Sequence, residues 1–281
     1  MRVHAVPGGA GTRLHVVEAG NAAGPPILFI HGWSQSHACW SRQLNAPDLR
    51  ARFRLIAMDL RGHGDSEKPL EGYHDAALWA ADVNAVIETL RAERPVLAGW
   101  SYAGYVICDY LRHYGQERIR GINFVAAAVD GGVEVDYERG GSGWDDIWPD
   151  ESSAAPHIYS EGAEEAAVAM RTFVRNCVNR PLRFHDELAF LGLNLMTPPR
   201  VRKALFGRKL RNDDVLAGLT VPVLVTHGEC DIIVGPGSGR HIAAAVPAAR
   251  LSLYPDAGHA VFFESAERFN RELTEFVLSA P

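Results

Sequence analysis

Short runs of consecutive apolar residues recur along the chain, each stopped by glycine or a polar residue. Residues 26–30 run into His31-Gly32, 54–58 into Asp59, 95–99 into Trp100-Ser101, and 121–129 into Asp130. Residues 221–226 run into His227-Gly228, and 250–254 into Pro255-Asp256. Runs apolar on both faces suit the buried strands of a parallel sheet. Two further segments, 2–6 and 14–18, are separated by glycines and predict a strand pair at the start of the chain. Apolar residues at helical spacing fall between the runs, over 76–90, 102–114 (stopping at Gly115) and 261–278. Strand–helix alternation of this kind predicts an α/β fold, a mostly parallel sheet with helices on both faces.

The alternation fails from Gly131 to about Arg211. An acidic stretch rich in glycine and serine comes first. Helical patterns follow over 161–178, over 182–191 and after Thr197-Pro198-Pro199, with Thr197 in position to cap the last. The expected organisation is therefore a core of residues 1–130 and 212–281, with residues 131–211 as a helical cap inserted before the last strands. Ligands of open α/β sheets bind at the carboxyl ends of the strands, so a cap there would roof a pocket.

The strongest chemical signal is Gly99-Trp100-Ser101-Tyr102-Ala103-Gly104, between a strand and a helix. A serine hydroxyl is a poor nucleophile unless a base removes its proton. Small residues two positions either side let strand and helix cross closely, and Gly99 and Ala103 fill those places. A base and an acid are both available downstream. His259 follows the last strand in Asp256-Ala-Gly-His259, and Asp231 follows the preceding one in His227-Gly-Glu-Cys-Asp231. The order Ser101, Asp231, His259 is a serine–acid–histidine order. Asp130, at the end of the strand before the cap, competes for the role of acid. Asp256 reads as a turn residue, as do Asp59, Arg61, His63 and Asp65.

With these blocks in order, together with His31-Gly32-Trp33 and the segment from Asp59 to Ser66, the chain resembles the α/β-hydrolase superfamily. It is most similar to the branch of cofactor-free haloperoxidases, aryl esterases and related lactone and ester hydrolases. Alanine at 103 departs from the usual glycine. The resemblance implies the α/β-hydrolase fold and a triad of Ser101, Asp231 and His259. It also implies an oxyanion hole made by the backbone N–H groups of Trp33 and Tyr102, and no cofactor. The expected function is a serine hydrolase cleaving small to medium carboxylic esters or lactones through an acyl-enzyme. The alternatives are a cofactor-free haloperoxidase or perhydrolase forming peracids, a lyase on the same scaffold, and a non-catalytic receptor. Serine at 101 excludes the epoxide hydrolase and dehalogenase readings, which require aspartate there.

Composition narrows the remaining possibilities. The 281 residues carry a formal net charge of −6, which argues against a nucleic-acid partner. No apolar run approaches the ~20 residues of a membrane helix, and the first residues lack a signal core. A cytoplasmic protein acting on a small-molecule substrate is expected. The four cysteines are scattered without metal-ligand spacing and read as reduced thiols. Within the cap, acidic residues from Glu134 to Glu151 and basic residues from Arg200 to Arg211 read as solvated faces. Trp144, Trp148, Phe173, Phe184, Phe190, Leu193 and Met196 are candidates for a pocket lining.

Overall fold

In a computed structural model the chain forms one eight-stranded sheet; residues 1–130, 155–206, 208 and 210–280 are described. The strands are β1 (Arg2–Pro7), β2 (Arg13–Gly20), β3 (Pro26–Ile30), β4 (Arg54–Met58), β5 (Val96–Trp100), β6 (Gly121–Val125), β7 (Val223–Gly228) and β8 (Ala249–Tyr254). Their order is β1-β2-β4-β3-β5-β6-β7-β8. The pairs β1–β2 and β2–β4 are antiparallel and all others are parallel. The first two strands form the expected pair, with β1 largely exposed at the sheet edge. Strands β3, β5, β6 and β7 are buried throughout, so apolar residues face both sides of the sheet, with Asn123, Thr226 and His227 as buried polar exceptions.

The helices are α1 (Ser41–Leu44), α2 (Pro47–Arg52), α3 (Ala76–Thr89), α4 (Ala103–Tyr114), α5 (Ala163–Asn176), α6 (Phe184–Leu195), α7 (Pro199–Leu205), α8 (Asp213–Ala217), α9 (Pro236–Ala245), α10 (Val261–Glu264) and α11 (Ala266–Ser279). Alternate strand residues feed two cores. Leu28, Ile30, Leu97 and Phe124 pack on one face with Val83 and Ile107 of α3 and α4. Ile27, Phe29, Ala98 and Val125 pack on the other with Trp40, Phe262 and Phe269. None of the helices among the described residues is long and apolar enough to cross a membrane.

Three expectations need correction. The sixth strand ends at Val125 rather than 129, because Ala126 adopts φ 43° and turns the chain toward Ser101. The expected helix over 261–278 is two helices, broken at Ser265 (φ −120°, ψ 45°). There Gln43 Nε2 donates to the Phe262 carbonyl and Arg42 Nη1 to that of Phe263. These side chains occupy carbonyls that a continuous helix would use itself. Thr197 does not cap α7: Pro198 holds that position, and the Thr197 hydroxyl is buried without a partner.

The sheet changes winding direction at β3, which is flanked by β4 on one side and β5 on the other. Crevices at such switch points, beyond the carboxyl ends of the strands, are where these folds bind ligands. Helices α5, α6 and α7 stand over that edge. Ser34 Oγ donates to the Asn194 carbonyl, Trp33 Nε1 to that of Arg202, and Ala260 N–H to that of Cys177.

The start of α4 packs tightly against the segment after β6. A β-carbon on Gly104 would press into the Ala128 carbonyl, whereas the Ala103 side chain is accommodated and fully buried. Gly104→Ala is therefore expected to cost about 1–3 kcal/mol, as overpacking does. Ala103→Gly should cost about 1 kcal/mol, the helix-propensity difference. Urea unfolding measures both, and a Gly104→Ala protein as stable as the parent would contradict this packing.

Candidate active site

Residues Ile30 and Gly99 are register partners on adjacent parallel strands. Two residues beyond each lie Gly32 and Ser101, which therefore meet at the sheet edge. A β-carbon on Gly32 would lie 2.9 Å from Ser101 Cβ. Ser101 sits at φ 56°, in the left-handed region that disfavours side chains. Its conformation is fixed by its neighbours. Its N–H donates to the Val125 carbonyl (3.0 Å), and its own carbonyl accepts from the N–H groups of Gly104 (2.9 Å) and Ala128 (3.1 Å). This is a sharp strand-to-helix turn of the kind in which serine nucleophiles are held.

The next two strand ends supply a charge pair. Gly228 and Tyr254 are partners at the ends of β7 and β8, and the turns beyond them bring Asp231 and His259 together. His259 Nδ1 lies 2.8 Å from Asp231 Oδ2, and both residues are buried. Asp231 Oδ1 accepts the N–H groups of Ile233 (2.8 Å) and Val234 (2.9 Å). Although burial opposes ionisation, His259 and His227 hold the Asp231 carboxyl well below the usual carboxylate range. An ionised carboxylate only accepts, so His259 carries its proton on Nδ1, and Nε2 is the unprotonated nitrogen. The His259 ring packs 5.2 Å from Trp100, whose Nε1 donates to the His259 carbonyl (3.0 Å). The His259 ring is thus pinned to the residue preceding Ser101.

The other sequence candidates separate cleanly. Asp130 Oδ1 accepts the Asn212 N–H (2.9 Å), and Oδ2 lies 3.9 Å from His241 Nε2. Exposed Asp256 lies 3.8 Å from Arg180. The Trp33 ring packs edge-on against Phe173 and also touches Phe206. The Tyr102 ring packs on Trp79 and Tyr105, where burial pushes its hydroxyl up to about 12. Both side chains are packing elements. Phe190 is buried against Phe263, whereas Phe184 and Met196 are exposed. Trp144, Trp148 and the acidic cluster of residues 134–151 lie outside the described residues, as does Lys209.

The basic cluster is not a solvated face throughout. Arg202 and Arg208 are buried, and Arg208 Nη2 contacts both oxygens of Asp109 on α4 (2.7 and 2.8 Å). The pairing partner lies 99 positions away, which a charge run cannot reveal. Arg61 likewise reaches beyond its turn to Asp82 on α3 (2.7 Å). Glu264 gave no sequence signal. Its carboxylate accepts from Gly258 N–H (2.7 Å) and from the N–H groups of Asn179 and Arg180, clamping the His259 turn to the segment after α5.

Among the described residues, two groups could offer three ligand atoms to a metal: His15, His37 and Asp59, and Asp130, Asp213 and His241. Neither includes a residue of the serine, aspartate and histidine constellation.

A family model described as alpha/beta hydrolase fold matches residues 25–266. The esterase RhEst1 from Rhodococcus sp. ECU1013 superposes with a TM-score of 0.91 at 37% identity, covering 100% of both chains. The AB hydrolase superfamily protein YisY of Bacillus subtilis (strain 168) is 31% identical over 90% of this chain and 91% of its own. The non-heme chloroperoxidase CPO-A1 of Kitasatospora aureofaciens is 29% identical over 90% of this chain and 92% of its own.

The loop that carries Trp33 depends on uncharged histidines. His31 Nε2 accepts the Leu60 N–H (3.0 Å), leaving Nδ1–H to donate to the Gly32 carbonyl (2.7 Å). Burial pushes His31 down to about 4 and His63, its ring neighbour, to about 3. Both are depressed below an unfolded value near 6.5, so the unfolded chain binds more protons below that pH. Their contribution to stability is then full above about pH 6.5 and is lost as the pH drops toward 3. Unfolding at pH 5 should take up about two protons from these rings. Calorimetry in buffers of different ionisation heat measures the uptake. No proton uptake, with a Tm constant from neutral to acidic pH, would contradict it.

Proposed function

The chain belongs to the α/β-hydrolase fold family, and from that premise we propose that it is a serine carboxylic-ester hydrolase acting through an acyl-enzyme on small to medium esters or lactones. The observation that carries this reading is the buried Asp231–His259 hydrogen bond, set beside a serine held in the left-handed turn. Its likeness to an esterase over the full length of both chains supports it.

Ser101 Oγ attacks the ester carbonyl carbon while His259 Nε2 takes the hydroxyl proton. Asp231 keeps the imidazole in the Nδ1–H tautomer and stabilises the imidazolium. Negative charge gathers on the carbonyl oxygen, where the backbone N–H groups of Trp33 and Tyr102 receive it. Collapse of this adduct expels the alcohol, which takes the proton back from His259. Water then attacks the acyl-serine, again deprotonated by His259, and releases the carboxylic acid. No step uses a metal or cofactor.

A second reading follows from the likeness to a non-heme chloroperoxidase. Hydrogen peroxide attacking the same acyl-serine would release a peracid, which oxidises halide. The proposal ranks this as a side reaction, because water is far more abundant than peroxide.

With a short chromogenic ester, Ser101→Ala should lose up to about a million-fold in kcat while remaining folded. Asp231→Asn should lose about 10,000-fold, and Asp130→Asn far less. Ordinary turnover by folded Ser101→Ala, or the reverse ranking of the aspartates, would overturn the assignment. In acetate, peroxide and bromide, dye bromination should require both Ser101 and His259. Its persistence in Ser101→Ala would separate it from the acyl-enzyme.

A further inference from the structure

The Asp231 carboxylate faces a second histidine. His227, at the end of β7, is buried and sets Nε2 2.7 Å from the Val234 carbonyl and 3.1 Å from Asp231 Oδ2. Both neighbours are acceptors, so the proton sits on Nε2 and is shared between them. Nδ1 is then a bare lone pair, buried with no hydrogen-bond partner. Leaving such an acceptor unsatisfied carries a desolvation penalty that an apolar ring would avoid. The helix packed on this ring is shaped to admit it: a β-carbon on Gly239 of α9 would come 2.6 Å from Nδ1. The position thus tolerates both an unsatisfied nitrogen and a glycine inside a helix. What histidine offers in return, and phenylalanine does not, is the Nε2–H.

We propose that His227 is a positioning residue of the triad: its shared Nε2–H ties Asp231 Oδ2 to the Val234 carbonyl and holds the carboxylate in the plane that His259 requires. This rests on the serine-hydrolase reading above. Asp231 Oδ1 is anchored by the Ile233 and Val234 N–H groups. Oδ2 receives His227 and His259 from two sides. The carboxylate cannot rotate without breaking several hydrogen bonds at once. His227 also draws charge from the oxygen that orients the base, so its removal should leave more charge facing His259 and strengthen its hold on a proton.

Other titratable and charged groups surround this pair. They are the buried Cys177 thiol after α5, pushed up by burial and by Asp231, and Glu264 on α10. The outer turns carry Glu229 with Arg240, Asp256 with Arg180, and His241 with Asp213.

The experiment compares His227→Phe, which keeps the ring and removes the donor, with His227→Gln, which restores a donor near Nε2. A fluorophosphonate probe is first used to label the wild-type protein. Absence of labelling at Ser101 would sink the serine reading itself. Given labelling, His227→Phe should lose about 10- to 100-fold in kcat, as expected for a misplaced base, with KM unchanged. The acid limb of its kcat/KM profile should move up by about half a unit. His227→Gln should recover most of the kcat and the wild-type limb. A Phe variant with wild-type kcat and limb, or a Gln variant as impaired as Phe, would mean that the ring only packs. Should the Phe variant not fold, imidazole NMR of the wild type decides: the Nε2–H tautomer at His227 is expected, and Nδ1–H would overturn the proposal.

Discussion

A serine held at φ 56° is the constraint on which the rest of this molecule turns. No isolated L-residue prefers that conformation, so the fold has to impose it. Strand β5 must end beside β3, the sixth strand must bend at Ala126, and the Ser101 carbonyl must find the N–H groups of Gly104 and Ala128. Gly32 and Gly104 are small for that reason, one where its loop approaches Ser101 and one where α4 meets the segment after β6. The cost, of order 1–3 kcal/mol for a residue in such a region, is met by a sheet in which four adjacent strands, β3, β5, β6 and β7, are wholly buried.

Around that turn the electrostatics divide into two sets of histidines. His31 and His63 are kept uncharged by burial, because the loop beside Ser101 needs a ring nitrogen that accepts. His227 and His259 instead donate to one carboxylate, which stays ionised because several donors converge on it. Neutral rings shape the loop, and one charged carboxylate orients the His259 ring.

Much of this was legible in the sequence. The wholly buried strands are marked by short, largely apolar runs, and the residues just past each run meet at one edge because parallel strands align their carboxyl ends. What escaped depended on partners distant in the chain. Arg208 read as part of a basic run because Asp109 lies on another helix. The break at Ser265 has no proline or glycine to mark it, since Arg42 and Gln43 cause it from far upstream. His227 read as an ordinary residue at a strand end, because neither its link to Val234 nor the space left by Gly239 follows from local pattern.

Covalent chemistry at Ser101 can be observed directly. Rapid acid quenching of the protein during turnover of p-nitrophenyl acetate, followed by peptide mass mapping, tests for it. The expected result is an acetyl group on Ser101 that forms within the first turnover and decays at the steady-state rate. Brisk ester cleavage with Ser101 unmodified throughout would contradict the acyl-enzyme and the role given to this turn.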